Sequence, residues 1–441
     1  MKITDWFTSM IRAGSLREGL KILPERSLYI NAYYLMADVI VVSVLGFAFW
    51  TLVARLYSPA EVGLASATIA AVIYLARLSR LGFGYGLIRF LPDTGEKAAV
   101  LISTCFTITG LISMAAALVF LSGLNLWSPA ILYLHTPGLF IFFVALATAY
   151  TLFLLVEQAF IAERRAGYVL LKNTVAGIIK ILAAILFASL FSTSGIFLSW
   201  GMSIFIALAA ALFLFLPRLR HGYLPVPAVN KEMVSSVLHF SLGNYFAELL
   251  WFTPLMVFPL IVINILGAEL NAYFYMPWTI AQMLFAIPMA VSMSLFAEGS
   301  YDERSLRENV KKSVYLCLLI LVPALVILFP LSDKLLLLFG NGYSENGATL
   351  LRTLVVSVIP VGIIHISLSA MRVKKNVAGI IIVSFSVAFL SLLSGYILVT
   401  RMGLPGIGIA WLATQTLIAI SVVLFLFYKY RLKDSSTRYN P

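Results

Sequence analysis

Charge is what this 441-residue chain has least of. Asp, Glu, Lys and Arg make up 11% of it, where a soluble globular chain carries about a quarter. Hydrophobic residues make up 61%. No soluble domain hides that much apolar surface in its own core, so the composition excludes one and makes lipid the solvent. Cysteine is almost absent. Cys105 and Cys317 both fall in apolar runs, which excludes a disulfide framework and leaves two small buried hydrophobes with no metal site. Acid is the scarcer sign: 19 Asp and Glu against 31 Lys and Arg, a formal charge of +12. In a membrane chain that excess belongs to loops rather than to a nucleic-acid surface, so no nucleic-acid partner is expected. The N-terminus lacks the compact apolar core of a cleavable signal peptide. Trp6, Phe7, Met10 and Ile11 alternate with Arg12, Arg17 and Lys21, so residues 1–33 read as an amphipathic segment lying on the membrane surface.

Apolar runs of spanning length are plentiful. They lie near 34–56, 61–88, 98–122, 137–160, 168–191, 195–217, 236–266, 270–297, 312–331, 348–370, 377–399 and 405–428. Each is continuous rather than alternating, which excludes a β-barrel and predicts an all-α polytopic protein of about twelve transmembrane helices. With twelve spans both termini share a side. That side collects the bases of the N-terminus and C-terminal tail, together with Arg89, Lys97, Arg164, Arg165, Lys172 and the bases near 218–231, 304–312 and 372–375. The other side holds only Arg55, Lys334, Arg352 and Arg401. The positive-inside rule makes the first side cytoplasmic, in a multi-pass protein of the cell membrane.

The halves resemble each other at a fixed offset. Gly195 and Trp200 match Gly406 and Trp411, both 211 residues on; "AERRAGY" at 162 aligns with "MRVKKNV" at 371; Glu61 aligns with Glu269. Six spans is an even number, so the two repeats insert the same way up, as like-oriented lobes about an axis along the membrane normal. The expected organisation is a first lobe at 34–217, a cytoplasmic linker at 218–233, a second lobe at 234–428 and a cytoplasmic tail at 429–441. Such a pair of lobes leaves a cleft that opens to either side. The outer loops are too short to hold a catalytic domain, so no enzyme activity and no cofactor are expected.

Ionisable residues inside spans cost about 2.5–3.5 kcal/mol each and mark interior or wet positions. Seven stand out: Asp38, Arg77, Arg80, Glu157, Lys180, Glu248 and His365. Lys180 shares a polar, small-residue stripe with Asn173, Gly177 and Ala184, which fits either a cavity wall or a helix-packing face. Arg77 and Arg80 lie toward the cytoplasmic end of the second span, where they either line the cavity or snorkel to lipid phosphates. Asp38 and Glu248 stand 210 apart on the first helix of each repeat, positions suited to carrying H+ or Na+ or to pairing with a nearby base. The "GFGYG" at 82–86 loosens the end of the second span enough for a phosphate to approach the backbone. Six prolines in second-half spans, Pro254, Pro259, Pro277, Pro288, Pro323 and Pro360, imply bends or hinges.

The stretch "TLVARLYSPAEVGLASATIAAVIYLARLSRLGFGYGLIRFLP", residues 51–92, resembles the polysaccharide flippases. These form the oligosaccharide-lipid (Wzx-type) branch of the multidrug/oligosaccharidyl-lipid/polysaccharide (MOP) exporter superfamily. Arg55, Pro59, Glu61, Gly63, Gly82 and Phe83 carry the match, and the twelve spans and the basic loop "AERRAGY" extend it along the chain. The resemblance implies a MATE/MOP-like fold. It also implies export of a polyprenyl- or dolichyl-(pyro)phosphate-linked oligosaccharide from the cytoplasmic to the outer leaflet in polysaccharide or lipopolysaccharide biosynthesis. A monomer among membrane lipids is expected. Arg77, Arg80 and Lys180 would meet the phosphate, with Asn173, Glu157 and His365 as further cavity residues. A cation-coupled multidrug exporter of the same superfamily is the alternative; it would rely on carboxylates such as Asp38.

Overall fold

A computed structural model describes residues 26–191, 193–219 and 223–437. Most of the expected surface segment 1–33, three residues of the linker and the end of the tail lie outside the described residues. Within them there are helices and turns but no strand, and twelve helices are long and apolar enough to cross a membrane. We label them α1 Arg26–Leu56, α2 Pro59–Ser79, α3 Ala98–Ser122, α4 Pro137–Ala162, α5 Ala166–Ala188 and α6 Gly195–Leu219 in the first half. The second half has α7 Lys231–Leu266, α8 Ala268–Tyr301, α9 Leu306–Leu328, α10 Asn341–Val373, α11 Val377–Met402 and α12 Leu404–Thr437. Helix order puts the α2–α3, α4–α5, α6–α7, α8–α9 and α10–α11 connections on one side. We call this the basic side and its opposite the far side.

The repeat has a physical cause at each conserved offset. α1 packs on α5, α5 on α6 and α2 on α4, and the second half repeats this as α7 on α11, α11 on α12 and α8 on α10. Gly195 opens α6 against the carbonyl of Phe187, and Gly406 opens α12 against the carbonyl of Leu398. A Cβ at Gly406 would sit 2.2 Å from that oxygen, so both turns need glycine for close approach. α4 and α10 end alike. Arg164 (φ 54°) and Lys375 (φ 52°) are both left-handed, and the Arg165 and Asn376 amides bond back to the carbonyls of Phe160 and Met371, the Schellman closure. These caps correct the register of "AERRAGY" against "MRVKKNV" to the same 211 residues that separate Gly195 from Gly406.

Two helices differ from the expected spans. The second was expected to run to 88, but α2 stops at Ser79 and a separate short helix spans Phe83–Phe90. Leu81 (φ 43°) and Gly82 (φ 81°) are left-handed between them, which an α-helix cannot accommodate. α10 is interrupted at Ser357, between Asn341–Val356 and Val358–Val373, and Pro360 lies in the first turn of the second segment, where a missing N–H costs nothing. The other five prolines lie inside helices. Pro259 cannot bond the Leu255 carbonyl four residues back, and the indole of buried Trp278 donates to it instead at 3.1 Å.

The halves meet mainly through α2, which packs on both α7 and α8. At the far side Trp50 of α1 also touches Tyr275 of α8, with ring centres 4.8 Å apart. Toward the basic side Met36 and Ile40 of α1 and Met289 and Met293 of α8 are exposed. α1 and α9 bury the least of their length and carry long apolar exposed faces, as helices solvated by lipid do.

Candidate functional site

The chain break after α2 builds the site. Because α2 ends at Ser79 and the chain turns at Gly82, Arg80 and the short helix Phe83–Phe90 swing onto α7. Glycine makes that contact possible. A Cβ at Gly82 would meet Cβ of Ser241 at 2.6 Å, and one at Gly86 would meet the Val237 side chain at 2.4 Å, both on α7. A Cβ at Gly84 would stand 3.1 Å from Gln158 of α4. The three glycines of "GFGYG" thus serve close packing, a different use from the open phosphate loop their spacing suggested.

At this seam three groups from the first half converge on one carboxylate from the second. Arg77 Nη1 and Arg80 Nη2 both bond Glu248 Oε1, at 3.3 and 3.1 Å, and the Tyr85 hydroxyl donates to Oε2 at 2.8 Å. Tyr245, one turn before Glu248, donates to the Leu78 carbonyl at 2.6 Å. The Arg77 guanidinium lies 3.8 Å from the centre of the Phe252 ring, a cation–π contact. Arg372, in the last turn of α10, is an electrostatic neighbour of Glu248 and Tyr85. The two arginine side chains are 24% and 14% exposed, so they turn into the seam rather than snorkelling to the lipid surface. Two guanidiniums against one carboxylate leave surplus positive charge. They also leave donors over: the Nε groups of Arg77 and Arg80 are buried without a partner. A cleft of about 120 Å³ adjoins Arg80, lined also by Gly82, Gly84, Tyr85, Gln158, Tyr245 and Glu248. A polar recess with excess guanidinium charge is chemistry for holding an anion.

A second cluster lies within the first half. Lys172 of α5 is fully buried. Its ammonium bonds Glu157 Oε1 at 2.9 Å, Asn173 Oδ1 at 2.8 Å and the Phe153 carbonyl at 3.3 Å. The Asn173 amide donates to both oxygens of Asp38, at 3.0 and 3.1 Å. Here two carboxylates face one ammonium, so the surplus is negative. Glu157 and Tyr150, both on α4, are electrostatic neighbours of Arg77, which places the two clusters side by side.

The sequence-selected residues therefore divide. Arg77, Arg80 and Glu248 come together, as do Asp38, Asn173 and Glu157. Asp38 and Glu248, expected at equivalent repeat positions, stand 210 residues apart, one short of the 211-residue register, and one is tied inside a lobe while the other bonds across the seam. Lys180 joins neither group. Helix α5 begins at Ala166, so Lys180 lies about 21 Å along it by helical rise, well past the inner-leaflet depth expected from counting after Lys172. Its ammonium stands 5.2 Å from the Phe49 ring of α1. Its stripe faces α1: Gly177 abuts Leu45 and the Ala184 carbonyl accepts from Tyr57. His365 stacks edge-on against Trp251, 4.4 Å between ring centres, and bonds no residue of either cluster. Three members were missed. Lys172 and Arg372 were counted as loop bases, although Lys172 follows the α5 start by nearly two turns. Tyr85 gave no sequence signal beyond its place among the glycines.

Residues 52–348, more than half of the chain, match the family model for polysaccharide biosynthesis proteins. A Shigella flexneri protein named for O-antigen transport is 31% identical over 166 residues, covering 36% of this chain and 39% of that relative. Among solved structures, the lipid II flippase MurJ in an inward closed conformation superimposes with a TM-score of 0.71, over 90% of this chain and 87% of that one, at 12% identity. An inward-facing multidrug resistance MATE family transporter of the MOP superfamily gives 0.68 over 90% and 96%, at 16% identity. A MOP superfamily transporter from Pyrococcus furiosus, described as having a binding pocket of reverse polarity, gives 0.63 over 94% and 97%, at 17% identity. The chain thus belongs to the polysaccharide biosynthesis protein family, and it has the fold of the MOP exporters.

Proposed function

We propose that this protein flips a polyprenyl- or dolichyl-(pyro)phosphate-linked oligosaccharide from the cytoplasmic to the outer leaflet by alternating access. The observation that carries the reading is the seam between the halves. Arg77 and Arg80 share a single carboxylate and keep positive charge to spare beside a cleft. A phosphodiester offers the bidentate partner that such a pair favours, and a pyrophosphate diester offers two charges as well. The basic side is then cytoplasmic by the positive-inside rule, and the cleft faces the leaflet where a lipid-linked glycan is assembled. The exposed methionines of α1 and α8 near the basic side leave an apolar flank along which a lipid tail stays in the bilayer while its head enters between the lobes. The lobes at 34–217 and 234–428 are the moving bodies and the segment around 218–233 their link. The protein works as a monomer in the cell membrane with both termini cytoplasmic. Asp38 and its Asn173–Lys172–Glu157 network are the site for H+ or Na+ coupling. Glu248, already engaged by two arginines, serves the seam instead.

The test is reconstitution in proteoliposomes with a fluorescent lipid-linked oligosaccharide. Arg77→Ala/Arg80→Ala, at wild-type membrane level, should lose flipping by at least about tenfold, the scale of one lost charged hydrogen bond. Normal flipping by that double variant would overturn the phosphate assignment. Asp38-dependent uptake of a cationic dye, with no glycolipid movement, would make the protein a drug exporter instead.

A further inference from the structure

We propose that Glu248 is a built-in stand-in for the substrate's anion. It occupies Arg77 and Arg80 while the basic side of the seam is shut, and a phosphate or pyrophosphate headgroup entering the adjoining cleft takes the arginines from it and so unlatches α7. The inference rests on the reading above that the cargo carries phosphate.

Three observations support it. First, every charged bond of the latch crosses the seam and ends on one carboxylate. Arg77, Arg80 and Tyr85 belong to the first half, Glu248 to the second. Replacing one anion therefore releases all three bonds together. The remaining seam contacts near it involve no anion: Tyr245 on the Leu78 carbonyl, the glycine contacts with Ser241 and Val237, and the Arg77 guanidinium over the Phe252 ring. Second, a carboxylate satisfies the arginines poorly. Both guanidiniums bond the same oxygen by a single nitrogen each, and their Nε groups have no partner. A pyrophosphate esterified at both ends still carries two negative charges and neutralises the pair, whereas Glu248 leaves one positive charge over, as a singly charged phosphodiester would. Third, the displaced carboxylate has somewhere to go. Arg372 of α10 is its electrostatic neighbour within the second half, so Glu248 exchanges two cross-seam partners for one inside its own lobe. Charge balances on both sides of the exchange: arginines with pyrophosphate in the first half, Glu248 with Arg372 in the second.

The experiment uses the purified full chain with Cys105 and Cys317 replaced by Ser and a Gly86→Cys/Val237→Cys pair added. A Cβ at Gly86 would lie 3.1 Å from that of Val237, near the spacing a disulfide needs. Inorganic pyrophosphate is the probe. Its binding is measured by calorimetry and the seam by the rate of disulfide formation. Pyrophosphate is expected to slow cross-linking severalfold. Glu248→Gln is expected to slow it without ligand and to bind pyrophosphate about tenfold tighter, because no internal anion competes. Should Glu248→Gln not fold, Tyr85→Phe removes one bond to Glu248 and should tighten binding in the same direction by a smaller factor. Tighter binding with unaltered cross-linking would mean simple charge attraction, and the latch is wrong. Equal binding by wild type and variant, with cross-linking unmoved, also overturns the latch but leaves the phosphate site standing. Binding by neither removes the phosphate reading itself and the latch with it.

Discussion

The two ends of the seam between the lobes are built from different chemistry. At the basic side the halves are joined by ionic bonds converging on Glu248, beside a cleft with room to spare. At the far side the joints are neutral or aimed at backbone, and they are tight. A Cβ at Gly63 of α2 would lie 1.7 Å from the Ala268 carbonyl oxygen of α8. Fully buried Asn271 donates to the Gly63 carbonyl at 2.8 Å and to Ser66 at 3.1 Å. Asn264 of α7 donates to Ser128 at 2.9 Å and accepts from the Ala130 amide at 3.1 Å. Even the far-side cation that crosses the seam, Arg55, pairs with no carboxylate among the described residues. It donates to the Leu337 and Leu338 carbonyls at 2.5 and 2.9 Å, where the helix Ser332–Leu337 ends, a favoured place for a cation. An anion can compete for the first set of bonds. No small ion competes for the second, so that end yields only when the lobes move as bodies.

The largest effect is expected where the far side leaves no space. Gly63→Leu forces a side chain into the Ala268 backbone, and overpacking of this kind costs at least about 1–3 kcal/mol. Membrane level or transport should collapse, whereas Gly86→Ala at the basic side, which meets the Val237 side chain rather than backbone, should be milder. Equal tolerance at the two glycines would erase the contrast between a rigid and a yielding end.

Next is the cluster that crosses no seam. Lys172→Met leaves Glu157 without its ammonium partner, a loss of about 3–5 kcal/mol for a broken buried pair. Thermal unfolding in detergent should shift down sharply, and Lys172→Met/Glu157→Gln should recover most of the loss. Pyrophosphate affinity should change little in the stable double variant. A large affinity change there would show that both clusters act as one site.

Arg55→Gln removes charged hydrogen bonds to carbonyls worth about 1.5–3 kcal/mol. Opening at the far side should ease, altering transport rate while pyrophosphate affinity stays as in wild type. Arg80→Gln should do the reverse, weakening affinity first. Identical phenotypes would mean that the two ends are not separate devices. The smallest effect belongs to Lys180. Its ammonium faces the Phe49 ring, a contact worth about 1 kcal/mol or less, so Lys180→Ala at normal membrane level should keep most of its transport. Abolished transport in a well-folded Lys180→Ala protein would bring Lys180 back as a cargo-binding residue.

Much of this molecule was legible in its sequence because it follows from short-range rules. Continuous apolar runs dictate helices, since lipid offers no partner for an unbonded backbone group. An even number of spans per repeat dictates like-oriented lobes. The 211-residue offset between Gly195 and Gly406 reflects one local need, close approach to a carbonyl, met twice. The sequence also singled out most of the buried charges, because each is costly in lipid. It did not say which charge meets which. Arg77 and Glu248 are 171 residues apart, and helical periodicity gives a residue's face without giving the rotation of its helix or the neighbour opposite. Lys172 and Lys180 stand about two turns apart on one helix; depth and packing alone make the first a paired, fully buried ammonium and the second a cation against Phe49. The turn at Leu81 and Gly82 lies within one apolar run, and only docking on α7 required the chain to break there. Tertiary packing therefore decided the pairing of charges, and with it which end of the seam an anion could open.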